Sequence, residues 1–204
     1  MIGKGGHGSA PEKARDPLQG AIDIMAEHRE LLKLYQEMID NKTFICTLPY
    51  LKCGEAHNVI HEKAVIRGTM RTFDENITLD YKARFQDMCE KIAKRHGLKL
   101  DIQLETSYPT VINWPEQTEV VIEVAKGVYG EGKVTDEELP QLGSEDFSYY
   151  TRYVPGSFYF VASGRKPTDN PDCHAPDFDF DDNAIEKASE MFYRIALHRF
   201  NLLK

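Results

Sequence analysis

The sequence predicts an α/β protein built in two modules, and three observations carry that reading. Leu98, Leu100, Ile102 and Leu104 alternate with Lys99, Asp101, Gln103 and Glu105. That is the period of a strand with one wet face, as antiparallel sheets have. Residues 157–162 (Ser-Phe-Tyr-Phe-Val-Ala) form a near-continuous apolar run, the pattern of a strand buried on both faces in a parallel sheet. Helical spacing of apolar residues fills the intervals between the strands.

The elements follow in order. Gly3-Lys4-Gly5-Gly6-His7-Gly8 is too glycine-rich for a regular element. Asp16-Pro17 marks a helix start, an N-cap followed by proline at the first helical position. Leu18, Ile22, Met25, Leu32, Tyr35 and Ile39 carry its apolar stripe to about Asn41. Residues 43–52 are rich in strand formers, and a turn around Gly54 leads to a second strand over 64–73. Alternation there puts Arg67 and Arg71 on one face. A helix over about 78–96 buries Tyr81, Phe85, Met88 and Ile92, and Gly97 stands where a C-terminal cap belongs. With the strand at 98–105 the order is αββαβ, and it becomes βαββαβ once a strand precedes His7.

The second module is punctuated differently. Tyr108-Pro109 and Trp114-Pro115 mark a linker, followed by a helix over 118–129, a loop over 130–143, a short helix over 145–153 and the apolar strand. A long polar loop over 164–182 leads to a last helix over 183–203, with Ile185, Ala188, Phe192, Ile195 and Leu202 on its apolar side. Loops of that length are often functional. The expected boundaries are 1–107 and 108–204. A lone parallel strand needs neighbours on both sides, so the second module reads as part of a larger sheet and the chain as a fragment.

Composition narrows the function classes. The 204 residues carry a net charge of −8, which disfavours nucleic acid as a partner, since a phosphate backbone needs a basic face. No apolar run approaches the ~18 residues of a membrane span, and Met1-Ile2-Gly3-Lys4 does not open a signal peptide. Cys46, Cys53, Cys89 and Cys173 are scattered, which fits a reducing, cytoplasmic setting.

Several residues have chemistry to offer, each with a bland alternative. Gly5-Gly6-His7-Gly8 sets an imidazole in backbone able to approach a ligand closely, or merely in an exposed loop. His174, in Pro171-Asp172-Cys173-His174-Ala175-Pro176, follows the apolar strand, where ligands and metals gather in α/β folds. Asp172, Asp177, Asp179, Asp181 and Asp182 crowd around it, as outer partners of a ligand or as an acidic start to the last helix. Gly143-Ser144-Glu145-Asp146-Phe147 offers helix-start amides to an anion, or Ser144 is only an N-cap. Cys53, His57 and His61 have metal-like spacing with no fourth ligand nearby. Adjacent Cys173 and His174 make a poor nucleophile–base pair. Arg67 and Arg71 either grip a carboxylate or face water. No P-loop, GxSxG or HExxH occurs.

Five motifs in order carry a resemblance: Gly5-Gly6-His7-Gly8-Ser9-Ala10-Pro11, His57-Asn58-Val59-Ile60, Gly68-Thr69-Met70-Arg71-Thr72-Phe73, Gly143-Ser144-Glu145-Asp146-Phe147 and His174-Ala175-Pro176. Together they resemble the metal-dependent amidohydrolases of the M20 peptidase family, nearest the branch of N-acyl-amino-acid amidohydrolases and hippurate hydrolase. The resemblance implies a ferredoxin-like βαββαβ lid, here with its first strand truncated, and an incomplete α/β catalytic domain. It implies that His174 is a metal ligand, zinc or manganese being the metal, and that His7 stabilises the oxyanion. Asn58 and Arg71 resemble substrate-contacting lid residues, and Ser144 resembles part of a loop lining the cleft. The implied reaction is hydrolysis of an N-acyl amino acid or peptide-like amide, in a homodimer joined through the lid. The family's other metal ligands and general base lie before the lid, so this chain alone is expected to be incomplete. His61 also departs from the pattern, standing where the family usually has proline. The alternative is a non-catalytic dimerisation or binding module derived from such an enzyme.

Overall fold

The computed structural model describes residues 1–106, 108–164, 170–171 and 173–200. The chain divides into two compact units, Met1–Thr110 with Leu142–Ser144, and Val111–Gln141 with Glu145–Lys204.

The first unit starts with a short strand, β1 (Gly6–His7), and then the helix α1 (Pro17–Leu32). The Asp16 side chain accepts from the Leu18 amide at 2.8 Å, so the predicted cap forms. The helix stops sooner than the apolar spacing suggests. A tight turn at residues 33–35 breaks it, and the short α2 (Gln36–Asp40) follows.

Strand β2 (Phe44–Cys53) then pairs antiparallel with β4 (Ala64–Thr72), from Phe44 opposite Thr72 to Cys53 opposite Ala64. The register shifts between Thr47 and Tyr50, at Leu48-Pro49. Proline has no amide to give a ladder, and a bulge accommodates it. Gly68 lies against that bulge, where a Cβ would come within 2.3 Å of the Thr47 carbonyl oxygen. The small strand β3 (Val59–Ile60) pairs with β1 instead.

Helix α3 (Glu75–Arg95) is capped at its start by Asp74, which accepts from the Asn76 amide at 2.7 Å. At its end Gly97 turns left-handed (φ +61°), the Gly97 amide donates to Lys94 O, and the Leu98 amide donates to Ala93 O. This paired closure needs a residue that tolerates positive φ, which is why glycine stands there.

Residues 1–3 take the place of the strand that the αββαβ order lacks. Ile2 bridges Lys63 on one side and Lys99 on the other, both antiparallel. The Ile2 amide donates to Lys99 O, and the Gly3 amide to Glu62 O, each at 2.8 Å. The lateral order is therefore β2, β4, residues 1–3, residues 98–99, which is the ferredoxin-like arrangement with a shortened first strand.

The expected strand over 98–105 is corrected to an extended segment that, among the described residues, pairs only at Lys99. Its alternation is real, because Leu98, Leu100, Ile102 and Leu104 pack on the core. The ladder is absent because the register setting Ile2 opposite Lys99 leaves Asp101 onward no partner among the described residues.

The core of this unit lies between the helices and the sheet. Phe44, fully buried, stacks on Tyr35 at 4.9 Å between ring centroids. Inside it sits a polar cluster. The Cys46 thiol donates to Tyr81 Oη at 3.0 Å, and its sulfur lies 3.5 Å from His28 Nε2. Burial pushes the Cys46 and Tyr81 ionisations up and holds His28 below the usual histidine range.

In the second unit α4 (Pro115–Tyr129) packs on α6 (Asn183–Arg199) around Val124, Ala125 and Met191. The short α5 (Phe147–Thr151) lies between them in sequence, and the Trp114 indole donates to Thr151 O at 2.9 Å. The expected strand over 157–162 is corrected too. It forms no ladder among the described residues. The Asn113 side-chain amide takes the place of a neighbouring strand, donating to Phe158 O and accepting from the Phe158 amide, both at 2.8 Å. Residues 201–204, at the end of the predicted last helix, lie outside the described residues.

Candidate functional site

The chain approaches the site from its glycines. Gly6 and His7 pair with Ile60 and Val59, and the Gly8 amide donates to Asn58 O at 2.8 Å. A Cβ on Gly8 would sit 3.0 Å from that same oxygen, and one on Gly5 would sit 3.1 Å from Ile60 O. The close approach of the two backbones explains these glycines better than flexibility does. His7 and Asn58, both exposed, thus lie at the end of one narrow ribbon, His7 opposite Val59 and Asn58 bonded through its carbonyl to Gly8.

The imidazole of His7 is held from one side. The Ser9 amide donates to His7 Nδ1 at 3.2 Å, and Ser9 Oγ lies 2.9 Å from the same nitrogen. The Ala10 amide donates back to His7 O at 2.9 Å, closing the turn that brings Ser9 over the ring. Sequence reasoning quoted Ser9 within its motif but gave it no role. The available signal was a hydroxyl two residues beyond a histidine, across a glycine.

Arg71 and Ser144 form a second pair in the same unit. Arg71 Nη1 donates to Ser144 Oγ at 2.5 Å. The N-cap alternative for Ser144 is overturned, because α5 begins only at Phe147 and the carboxylate of Glu145 accepts from the Phe147 amide at 3.2 Å. A five-residue helix is also too short to present a useful anion site, so the predicted helix-start role falls with it. Arg67, at the other end of the predicted arginine face, lies over the Tyr50 ring at 5.3 Å.

His174 belongs to the second unit, exposed, in a turn that gives it a positive φ of +75°. Asp172 beside it lies outside the described residues. Of the other aspartates around it, Asp181 serves the last helix, accepting from Asn183 N at 3.0 Å and Asn183 Nδ2 at 2.8 Å.

A divalent metal needs about three protein ligands. Among the described residues no group of three or more His, Cys, Asp or Glu side chains comes together to hold one. The described residues therefore do not make a metal centre by themselves. The spacing of Cys53, His57 and His61 also yields no such group; His61 Nε2 instead accepts from the Glu55 amide at 3.3 Å, with its ring packed on Gly54.

Comparison with known proteins settles the lineage. The model of peptidase family M20/M25/M40 matches residues 8–198. The chain belongs to this family. YhaA of Bacillus subtilis, an amidohydrolase by name, is 32% identical over 203 residues, covering 97% of this chain and 49% of the relative. The N-acetyl-L-cysteine deacetylase of the same organism is 31% identical, covering 95% of this chain and 44% of the relative. Among solved structures, YXEP of Bacillus subtilis, described as a dinuclear metal-binding peptidase of family M20, aligns with a TM-score of 0.66 at 23% identity. That alignment covers 89% of this chain and 46% of YXEP, and it speaks for the fold alone. This M20 chain thus spans about half the length of the curated relatives it matches. No helix among its described residues is long and apolar enough to cross a membrane.

Proposed function

We propose that this M20 chain is the lid and the returning part of the catalytic domain of a metal-dependent amidohydrolase acting on N-acyl amino acids. The observation that carries the reading is the β1–β3 ribbon, whose end carries the exposed His7 and the exposed Asn58 where the two backbones run close enough to crowd any added Cβ. In this reading His7 donates a hydrogen bond to the oxygen that becomes negative as the amide carbonyl is attacked. Asn58 contacts the acyl group. Arg71, steadied by Ser144, meets the substrate carboxylate, for which a guanidinium fork is well shaped.

His174 supplies one ligand to a zinc or manganese centre. The remaining ligands and the general base come from outside these 204 residues, in keeping with relatives about twice as long. The active form is a homodimer through the lid, where β2 offers a ten-residue edge with Ile45, Tyr50 and Leu51 exposed. The four free cysteines fit a cytoplasmic setting.

The test is hydrolysis of N-acetyl amino acids and hippurate by the protein as the cell makes it, supplied with manganese or zinc. Metal-dependent release of the free amino acid, lost in His7→Ala and weakened mainly in KM by Arg71→Ala, supports the reading. No release from any acyl amino acid refutes it. A folded dimer without activity would favour the alternative of a binding module, for which the lack of a metal-holding group among the described residues is the argument.

A further inference from the structure

The geometry points to Ser9 as a positioning residue that sets the tautomer of His7. This rests on the reading of His7 as the donor to the oxyanion. A neutral imidazole carries its proton on one ring nitrogen and a lone pair on the other, and only the protonated nitrogen can donate. The Ser9 backbone amide is an obligate donor, and it points at His7 Nδ1 from 3.2 Å. That bond exists only if Nδ1 holds the lone pair. The hydroxyl of Ser9, 2.9 Å from the same nitrogen, can donate as well. Two donors converging on Nδ1 leave the ring proton on Nε2. The turn closed by the Ala10 amide on His7 O holds Ser9 there, and the Gly8 amide on Asn58 O anchors that turn to β3. Ser9 touches no reacting atom in this scheme. It acts by ensuring that the ring presents a donor on Nε2 instead of an acceptor.

A histidine given no partner at Nδ1 would divide between tautomers, and part of the population would turn a lone pair toward a developing negative charge. A tetrahedral oxyanion would be repelled by that form. The arrangement therefore does for an exposed catalytic imidazole what a buried carboxylate or carbonyl does for metal-bound histidines: it fixes which nitrogen carries the proton.

The experiment is long-range proton–nitrogen NMR of the His7 ring in the full chain at about pH 8, where an ordinary histidine is neutral. The wild-type ring is expected to show its proton on Nε2. Ser9→Ala removes one of the two donors and is expected to shift the tautomer ratio toward Nδ1–H by about fivefold, what a neutral hydrogen bond contributes. Ser9→Thr, which keeps the hydroxyl, is expected to restore it. A wild-type ring protonated on Nδ1, or a ratio that Ser9→Ala leaves unchanged, overturns the proposal. Its failure is separable from that of the functional reading. If His7→Ala leaves hydrolysis intact, the catalytic role falls while the tautomer result stands.

Discussion

Acidification should destabilise the first unit through a single buried histidine. His28 is 4% exposed, its ring edges against Tyr81 and Phe85 at 6.2 and 5.8 Å, and its polar neighbour is the Cys46 sulfur at 3.5 Å. A thiol is a weak partner, so the imidazolium form would be poorly compensated. Desolvation accordingly holds the folded-state pKa of His28 below its value of about 6.5 in the unfolded chain. Between those two values the unfolded chain takes up a proton that the folded one refuses. Stability from this group is therefore fully present above about pH 6.5 and falls as pH drops toward the lowered folded value. The slope in that window approaches 1.4 kcal/mol per pH unit, against a total of roughly 5–15 kcal/mol for a domain. Urea titrations at several pH values, read from the methyl NMR signals of buried Ile24 and Ile92, measure it within this unit. His28→Leu replaces the ring with a non-ionising side chain and should flatten the dependence between pH 7 and 5. Equal slopes in wild type and variant would refute the reasoning.

Three further outcomes can be checked by similar means. Phe44→Ala should lower the unfolding free energy of the first unit by about 3–5 kcal/mol, since the ring is fully buried and stacked on Tyr35. Gly68→Ala should cost about 2 kcal/mol or more and disturb the amide signals of Thr47 and Thr69, because the new Cβ would meet the Thr47 carbonyl oxygen and Leu48. Asp74→Ala should cost about 1 kcal/mol and raise hydrogen exchange in the first turn of α3, where the Asn76 amide loses its acceptor.

What could be read in the sequence was mostly local. Asp16-Pro17 and Gly97 act through neighbours within a turn, so the start of α1 and the end of α3 followed from residue identity alone. The alternation of Leu98, Leu100, Ile102 and Leu104 correctly showed which side chains face the core. It could not show whether a hydrogen-bonded neighbour was available, because a ladder is a property of two segments. The same gap explains residues 157–162, whose apolar character suits a parallel sheet while the Asn113 amide stands in for a strand.

Residues 1–3 escaped notice for the opposite reason. They run straight into the glycine-rich stretch that begins at Gly3 and reads as loop, and only the partners on both sides make them part of a sheet. In the candidate site, the family motifs named His7, Asn58, Arg71 and Ser144. The bond from Arg71 to Ser144 joins positions 73 residues apart, and no periodicity encodes such a pairing. The contact of Ser9 with His7 is local, yet it depends on a turn whose closure is visible only in three dimensions.

The central place of residues 1–3 has a consequence for the order in which the first unit assembles. Ile2 is bonded to segments around Lys63 and Lys99, so its partners lie about 60 and 100 positions down the chain. On the ribosome residues 1–3 emerge before both of these partners, and the segment around Lys99 emerges last of the three. The β2–β4 hairpin and α1 depend mainly on closer neighbours and can form earlier. The segment leading to His7 therefore has its full set of partners only when residues 62–64 and 98–99 have both emerged. Closing such long loops is slow because their entropy is lost before the contacts repay it. The ribbon of β1 and β3 is thus among the last parts of the unit to be secured.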